Sequence, residues 1–210
     1  DFSPNALADF RQWLKEEYGS LDRLNAEWET AFAKWEDVTP MTMDEVEGRR
    51  SKAPWADHRT FMEKSLADFY VSMRGVLREI DPQAVAGICG NQRPGASNGM
   101  DYSRLMKTFD FLYSYIDSGL LEIMRSLGRI PMAPCNGYGR ESEFLKYEAW
   151  GAFLHGSRGV LYFADRNFLN PNLTPRRDAQ ELSDIVRLLN NGLARLAWNA
   201  ERQAQVAIHY

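Results

Sequence analysis

Four short apolar runs separated by stretches of helical period constrain what most of this chain can become: Ala84–Cys89, Asp110–Ile116, Arg129–Ala133 and Gly159–Phe163. A strand that is apolar on both faces has to be covered on both, and helices predicted at Leu120–Leu127, Glu141–His155 and Asp178–Ala197 supply that cover. The pattern predicts a parallel sheet. Each run gives way to polar or small residues, which suits a (β/α) barrel with its working groups at the C-terminal strand ends. A closed barrel needs eight strands and about 250 residues, whereas the chain has 210. The expected fold is therefore α/β, a partial (β/α)8 TIM barrel of roughly strands five to eight with their helices, truncated at both ends. It occupies residues 1–200, and residues 201–210, which include the strand-like Gln205–Tyr210, read as the start of a following domain.

The N-terminal third reads as helix. Phe10, Trp13, Leu14 and Tyr18 recur at helical spacing after a Ser3-Pro4 start, and Gly19 ends the element. Leu21, Leu24, Asn25 and Trp28 give a second helix, Trp35–Gly48 is irregular and acidic, and Ser51–Pro54 marks a loop. A long helix is predicted from Asp57, with Phe61, Leu66, Phe69, Tyr70, Met73 and Leu77 facing inward and Asp81-Pro82 as its stop.

Composition narrows the function classes. With 44% hydrophobic and 26% charged residues, the chain is neither a disordered tail nor a collagen-like repeat. Its 25 basic and 29 acidic residues leave a net charge of −4, so neither nucleic acid nor an anionic membrane is an expected partner. No apolar run approaches the ~18 residues of a membrane span. No signal peptide is visible in the chain, and the compartment stays open. Cys89 and Cys135 with three histidines make neither a disulfide framework nor a zinc set, and no metal or organic cofactor is expected.

The stretch from Phe10 to Phe32 contains Phe-x-x-Trp-Leu, then Tyr-Gly-x-Leu-x-x-Leu-Asn-x-x-Trp-x-Thr, followed by Trp35-Glu36-Asp37. It resembles the segment after the fourth barrel strand of family 42 β-galactosidases. The helix from Asp57 with its Asp81-Pro82 exit, and His155–Phe163 as an eighth-strand approach, are similar to the same family. The resemblance implies a TIM barrel of the large retaining-glycosidase clan, which uses two carboxylates about 5–5.5 Å apart as acid/base and nucleophile. The family's acid/base Glu would lie upstream of the chain. Its nucleophile Glu would fall near Pro134-Cys135-Asn136, where no carboxylate stands. Glu141 and Glu143 are nearest, and Glu141 is the catalytic candidate if the Gly137-Tyr138-Gly139 loop returns it to the barrel mouth.

The strand-end rule nominates Gly90, Asn91, Tyr115, Asp117, Asn136, Tyr138, Asp165 and Arg166 as substrate-binding residues, because amides, carboxylates and aromatic faces are what sugars require. Arg166 also matches the Arg that follows the Tyr-Phe strand in the family. Capping of strands and helices explains the same Asp and Asn residues, and an ion pair with Asp165 or Asp117 explains Arg166. Cys135 reads as a buried strand-end residue and His155 as a packed, satisfied histidine. Trp13, Trp28 and Trp35 read as helix packing, and Glu16-Glu17 and Arg49-Arg50 as solvated charges. The leading expectation is a fragment of a retaining glycoside hydrolase acting on β-linked, galactoside-like sugars, inactive in isolation. The alternative is a non-catalytic carbohydrate-binding or scaffold barrel that has lost its nucleophile. Carbohydrate is the expected partner either way, and self-association through domains outside the chain stays open.

Overall fold

The computed structural model describes residues 2–91, 94–95, 98–115, 117–127, 131–136, 142–162 and 168–200, and for Asn91, Ser118, Cys135, Asn136, Ser142 and Trp198 the backbone. Helix α1 (Pro4–Tyr18) begins as its sequence predicts: the Ser3 hydroxyl accepts from the Ala6 amide at 3.3 Å, proline occupies the first turn, and Gly19 closes the helix at φ 72°. Ser20 caps α2 (Leu21–Trp28) in the same way. The acidic stretch expected to be irregular holds a 3-10 turn at Trp35–Asp37 and a short α3 (Met43–Val46), which Thr42 and Glu45 close with a reciprocal capping box.

Phe10, Leu14, Leu24, Trp28 and Val38 form the core of this helical region, and Phe61 of α4 (Ala53–Ile80) packs on it. One carboxylate pins three helices together. Asp57 Oδ2 accepts from the Tyr18 hydroxyl at 2.6 Å and from the Trp28 indole N–H at 2.7 Å. Trp28 is fully buried, so its N–H has to find a protein acceptor. Burial and the neighbouring Asp57 together push the Tyr18 hydroxyl's pKa up, which keeps it a donor.

The four runs deliver strands β1 (Gly87–Asn91), β2 (Phe111–Ser114), β3 (Cys135–Asn136) and β4 (Leu161–Tyr162), alternating with α5 (Tyr102–Leu105), α6 (Ser118–Leu127) and α7 (Ser142–Leu154). β1 pairs with β2 and β3 with β4, both in parallel. The pairs are joined where the Leu112 amide donates to Pro131 O at 3.0 Å and the Ala133 amide to Leu112 O at 2.9 Å. The third strand lies later than the predicted Arg129–Ala133, whose first two residues fall outside the described ones. Pro131 and Pro134 accept ladder hydrogen bonds but cannot donate any, so this segment pairs only in pieces. Ile88, Leu112 and Met132 pack on Leu105, Leu121 and Met124 of the flanking helices, forming the main core.

Two helices depart from expectation. α4 starts at Ala53 rather than Asp57, and its C-terminal half is two-faced. Tyr70 lies edge-on to Phe109 at 4.9 Å, while Arg74 and Arg78 reach Asp110, so this face meets the β1–β2 sheet. Phe69, Met73 and Leu77, predicted to point inward, sit instead on an outward stripe that reaches Ile80, with Phe69 57% and Ile80 82% exposed. The single predicted helix Asp178–Ala197 is divided into α8 (Arg177–Leu188) and α9 (Ala194–Asn199) by a π turn at Leu189–Leu193, where Gly192 takes φ 104°. The extra residue shifts the phase: Ala194 is buried, whereas Leu193 and Leu196, expected on the inner side, are exposed. Residues 201–210 lie outside the described residues.

Candidate functional site

β1 ends in a bulge. Its register with β2 shifts between Cys89 and Asn91, with Gly90 at φ 76° allowing the turn. A side chain built on Gly90 would begin 3.9 Å from the Tyr115 hydroxyl, so the end of β1 and the residue following β2 meet at one place. The Asn91 backbone stands opposite Ser114. Of the nominated residues the structure therefore brings together Gly90, Asn91 and Tyr115.

Asp117 has a structural task. Its Oδ1 accepts from the Leu120 amide at 2.8 Å, capping α6. The Asn136 backbone pairs with Tyr162 at the matching end of β3–β4. Tyr162 packs against Phe168 with ring centroids 5.4 Å apart, and burial with the Glu148 charge pushes its pKa up to about 12, so at neutral pH it is a protonated phenol. Tyr138, Glu141, Asp165 and Arg166 lie outside the described residues, as do the side chains of Asn91, Cys135 and Asn136. Glu143, the other acid near β3, sits in the first turn of α7 with its side chain 82% exposed and paired with Lys146 at 2.8 Å. His155 is satisfied: Nδ1 lies 2.7 Å from Gly151 O and Nε2 lies 3.6 Å from Glu122. Among the described residues no group of three or more His, Cys, Asp or Glu could hold a metal, and no helix is long and apolar enough to cross a membrane.

One device near the site was not singled out in the sequence. Trp55, Arg59 and Glu63 follow one another at four-residue spacing along α4. Arg59 pairs with Glu63 at 2.7 Å, lies 6.0 Å from the Trp55 ring centroid and donates to Gly95 O, in the segment that follows β1. Gly99 approaches the same helix at Leu66. The strand-end segment is thereby fastened to α4. Its signal was the helical i, i+4 pairing of an Arg and a Glu, hidden among many charges that look like solvated surface.

Parallel strands in sequential order, helices between them and a bulged mouth define part of an α/β barrel, and solved structures agree. An exo-carrageenase of glycoside hydrolase family 42 from Bacteroides ovatus superposes with a TM-score of 0.73 at 17% identity, covering 94% of this chain and 34% of that one. A β-galactosidase from Rahnella sp. R3 gives a TM-score of 0.72 at 18% identity, covering 93% and 35%. The fold is that of the TIM-barrel glycoside hydrolases. Residues 1–118, more than half of the sequence, match the model of the glycoside hydrolase family 42 β-galactosidases, and the chain belongs to that family. A β-galactosidase from Arthrobacter sp. is 33% identical over 110 residues, and one from Geobacillus kaustophilus is 30% identical over 86 residues. The alignments span 50% and 39% of this chain, but 15% and 12% of those enzymes.

Proposed function

We propose that this chain forms one wall of the sugar-binding mouth of a retaining glycoside hydrolase that acts on β-linked galactosides. The supporting observation is the convergence of Gly90, Asn91 and Tyr115 at the C-terminal ends of β1 and β2, with Asn136 at the end of β3, in a chain whose relatives are β-galactosidases. In this reading the Asn91 and Asn136 carboxamides bond sugar hydroxyls, and the Tyr115 and Tyr138 rings cover C–H faces. Asp165 and Arg166 bound the far side, together with Asp117 at the start of α6. Glu141 is the nucleophile. Its carboxylate attacks the anomeric carbon as the glycosidic C–O bond breaks, an acid/base carboxyl outside these residues protonates the leaving oxygen, and water then releases the sugar.

The test is hydrolysis of an aryl β-galactoside by the full-length protein. Glu141→Gln should lower turnover at least about a thousandfold, on the scale seen when a nucleophile is removed. Near-normal turnover removes Glu141 from the site. One observation favours a second reading, a non-catalytic carbohydrate-binding or scaffold barrel: Pro131–Asn136, which ends in β3, contains no carboxylate. Galactoside binding without aglycone release by the full-length protein selects that reading.

A further inference from the structure

The π turn that divides α8 from α9 opens a cleft of about 560 Å³, within the size range of small-ligand sites. Its wall includes Phe153 from the end of α7, Arg158 from the turn before β4, and Leu189, Asn190, Asn191 and Arg195 around the turn. Because Arg158 precedes β4, the cleft opens at the N-terminal end of the strands, opposite the mouth where Gly90 and Tyr115 meet. Among the described residues two guanidinium groups and no carboxylate line it, in a chain whose net charge is −4. Among the described residues the side chains of Asn190, Asn191 and Arg195 make no hydrogen bond or ion pair, so their donors are available to a ligand. The Arg158 amide donates to Met132 O at 2.9 Å, which holds that part of the wall in place. Phe153 and Leu189 supply an apolar floor.

Guanidinium groups select oxyanions, carboxamides exchange hydrogen bonds with hydroxyls, and an apolar floor suits a C–H face. We propose that this cleft binds an anionic sugar, a saccharide unit whose sulfate or carboxylate sits on Arg195 and Arg158 and whose hydroxyls meet Asn190 and Asn191. The site is separate from the mouth and does not depend on which reading of the mouth holds.

The experiment is a titration of the isotopically labelled 210-residue chain, following the backbone amides of Asn190–Arg195 by NMR. The probes are galactose 6-sulfate, inorganic sulfate and neutral galactose. Galactose 6-sulfate should shift these amides saturably and bind more tightly than either other probe, with affinity falling as salt rises. Arg195→Gln should weaken it roughly tenfold or more, the loss expected for one charge-assisted contact. Among the described residues the Arg195 side chain has no partner, so this variant should keep the wild-type melting temperature. Arg158→Gln is the second variant and should also weaken binding. Three results overturn the proposal: no saturable shift, inorganic sulfate binding as tightly as the sulfated sugar, or unchanged affinity in both variants.

Discussion

Asp57→Ala tests whether the helical region is held by its single shared carboxylate. Oδ2 takes a 2.6 Å bond from the Tyr18 hydroxyl and a 2.7 Å bond from the Trp28 indole, joining α1, α2 and α4. Removing it strands two donors, one of them on a side chain with no exposed surface. A hydrogen bond to a charged group contributes about 1.5–3 kcal/mol, and a buried donor left without a partner costs about 1–3 kcal/mol. The two bonds share one oxygen and Tyr18 is only partly buried, so the effects overlap. A loss of about 3 kcal/mol is expected, a large part of an ordinary domain's stability. Asp57→Asn keeps an acceptor oxygen and should lose about 1 kcal/mol, and Tyr18→Phe, which leaves the Trp28 bond intact, about the same. Urea unfolding followed by far-ultraviolet circular dichroism gives these numbers, and intrinsic tryptophan fluorescence weights this region, since Trp13, Trp28, Trp35 and Trp55 lie in it. An Asp57→Ala chain within about 0.5 kcal/mol of wild type, the range of a neutral surface change, would refute the reasoning.

Two further outcomes follow from the sheet. Gly87 lies under the Phe111 ring, where an added Cβ would come within 2.7 Å of three ring carbons; Gly87→Ala should lower the urea midpoint by an amount worth about 1–3 kcal/mol, the usual cost of overpacking. Asp110 has its pKa lowered first by the hydrogen bond from the Ala86 amide and then by Arg78 and Arg74, so the folded chain holds its proton less tightly than the unfolded one. Its contribution is complete above the ordinary carboxylate range and drains away as pH falls through and below 3.8. Asp110→Asn should therefore lose about 1 kcal/mol at pH 7, discounted for a partly exposed pair, and show a flatter loss of stability on acidification. An acid limb as steep as that of the wild type counts against this role.

The elements legible in the sequence are those whose local chemistry agrees with their environment. Ser3-Pro4 and Gly19 bound α1 because caps act within a few residues of themselves. The apolar run around Ile88 marks β1, but it is covered on one face only: Ile88 is buried, while Val85 and Cys89 are exposed. Periodicity misled where one residue changes the phase or where a helix has two apolar faces. Leu182, Ile185, Leu189, Leu193 and Leu196 keep helical spacing through Gly192, and only the π turn shows that the last two point elsewhere. On α4, Phe69 and Met73 are as apolar as Tyr70, and the sequence holds nothing to say that Asp110 draws Arg74 and Arg78, and therefore their face, toward the sheet. The strand-end rule placed Asn91 and Tyr115 at one end of the β1–β2 pair because parallel strands deliver their last residues to one side. It did not show that Asp117 also caps α6, because a helix cap and a sugar ligand use the same atoms.

The two prolines flanking Met132 shape how the sheet responds to temperature. Between β1 and β2 the backbone carries a register of four residue pairs, whereas the junction with the next strand rests on an isolated bridge at Leu112–Met132. Among the described residues, two backbone hydrogen bonds cross that junction and the rest is side-chain contact, with Ile88 and Leu112 on one side and Met132 and Ala152 on the other, all in one apolar cluster. Apolar contact weakens on cooling. The junction therefore draws more of its cohesion from a force that fades in the cold than the β1–β2 ladder does. The two halves of the sheet are mated by a greasy hinge line, and chilling loosens that line before it loosens the strands themselves.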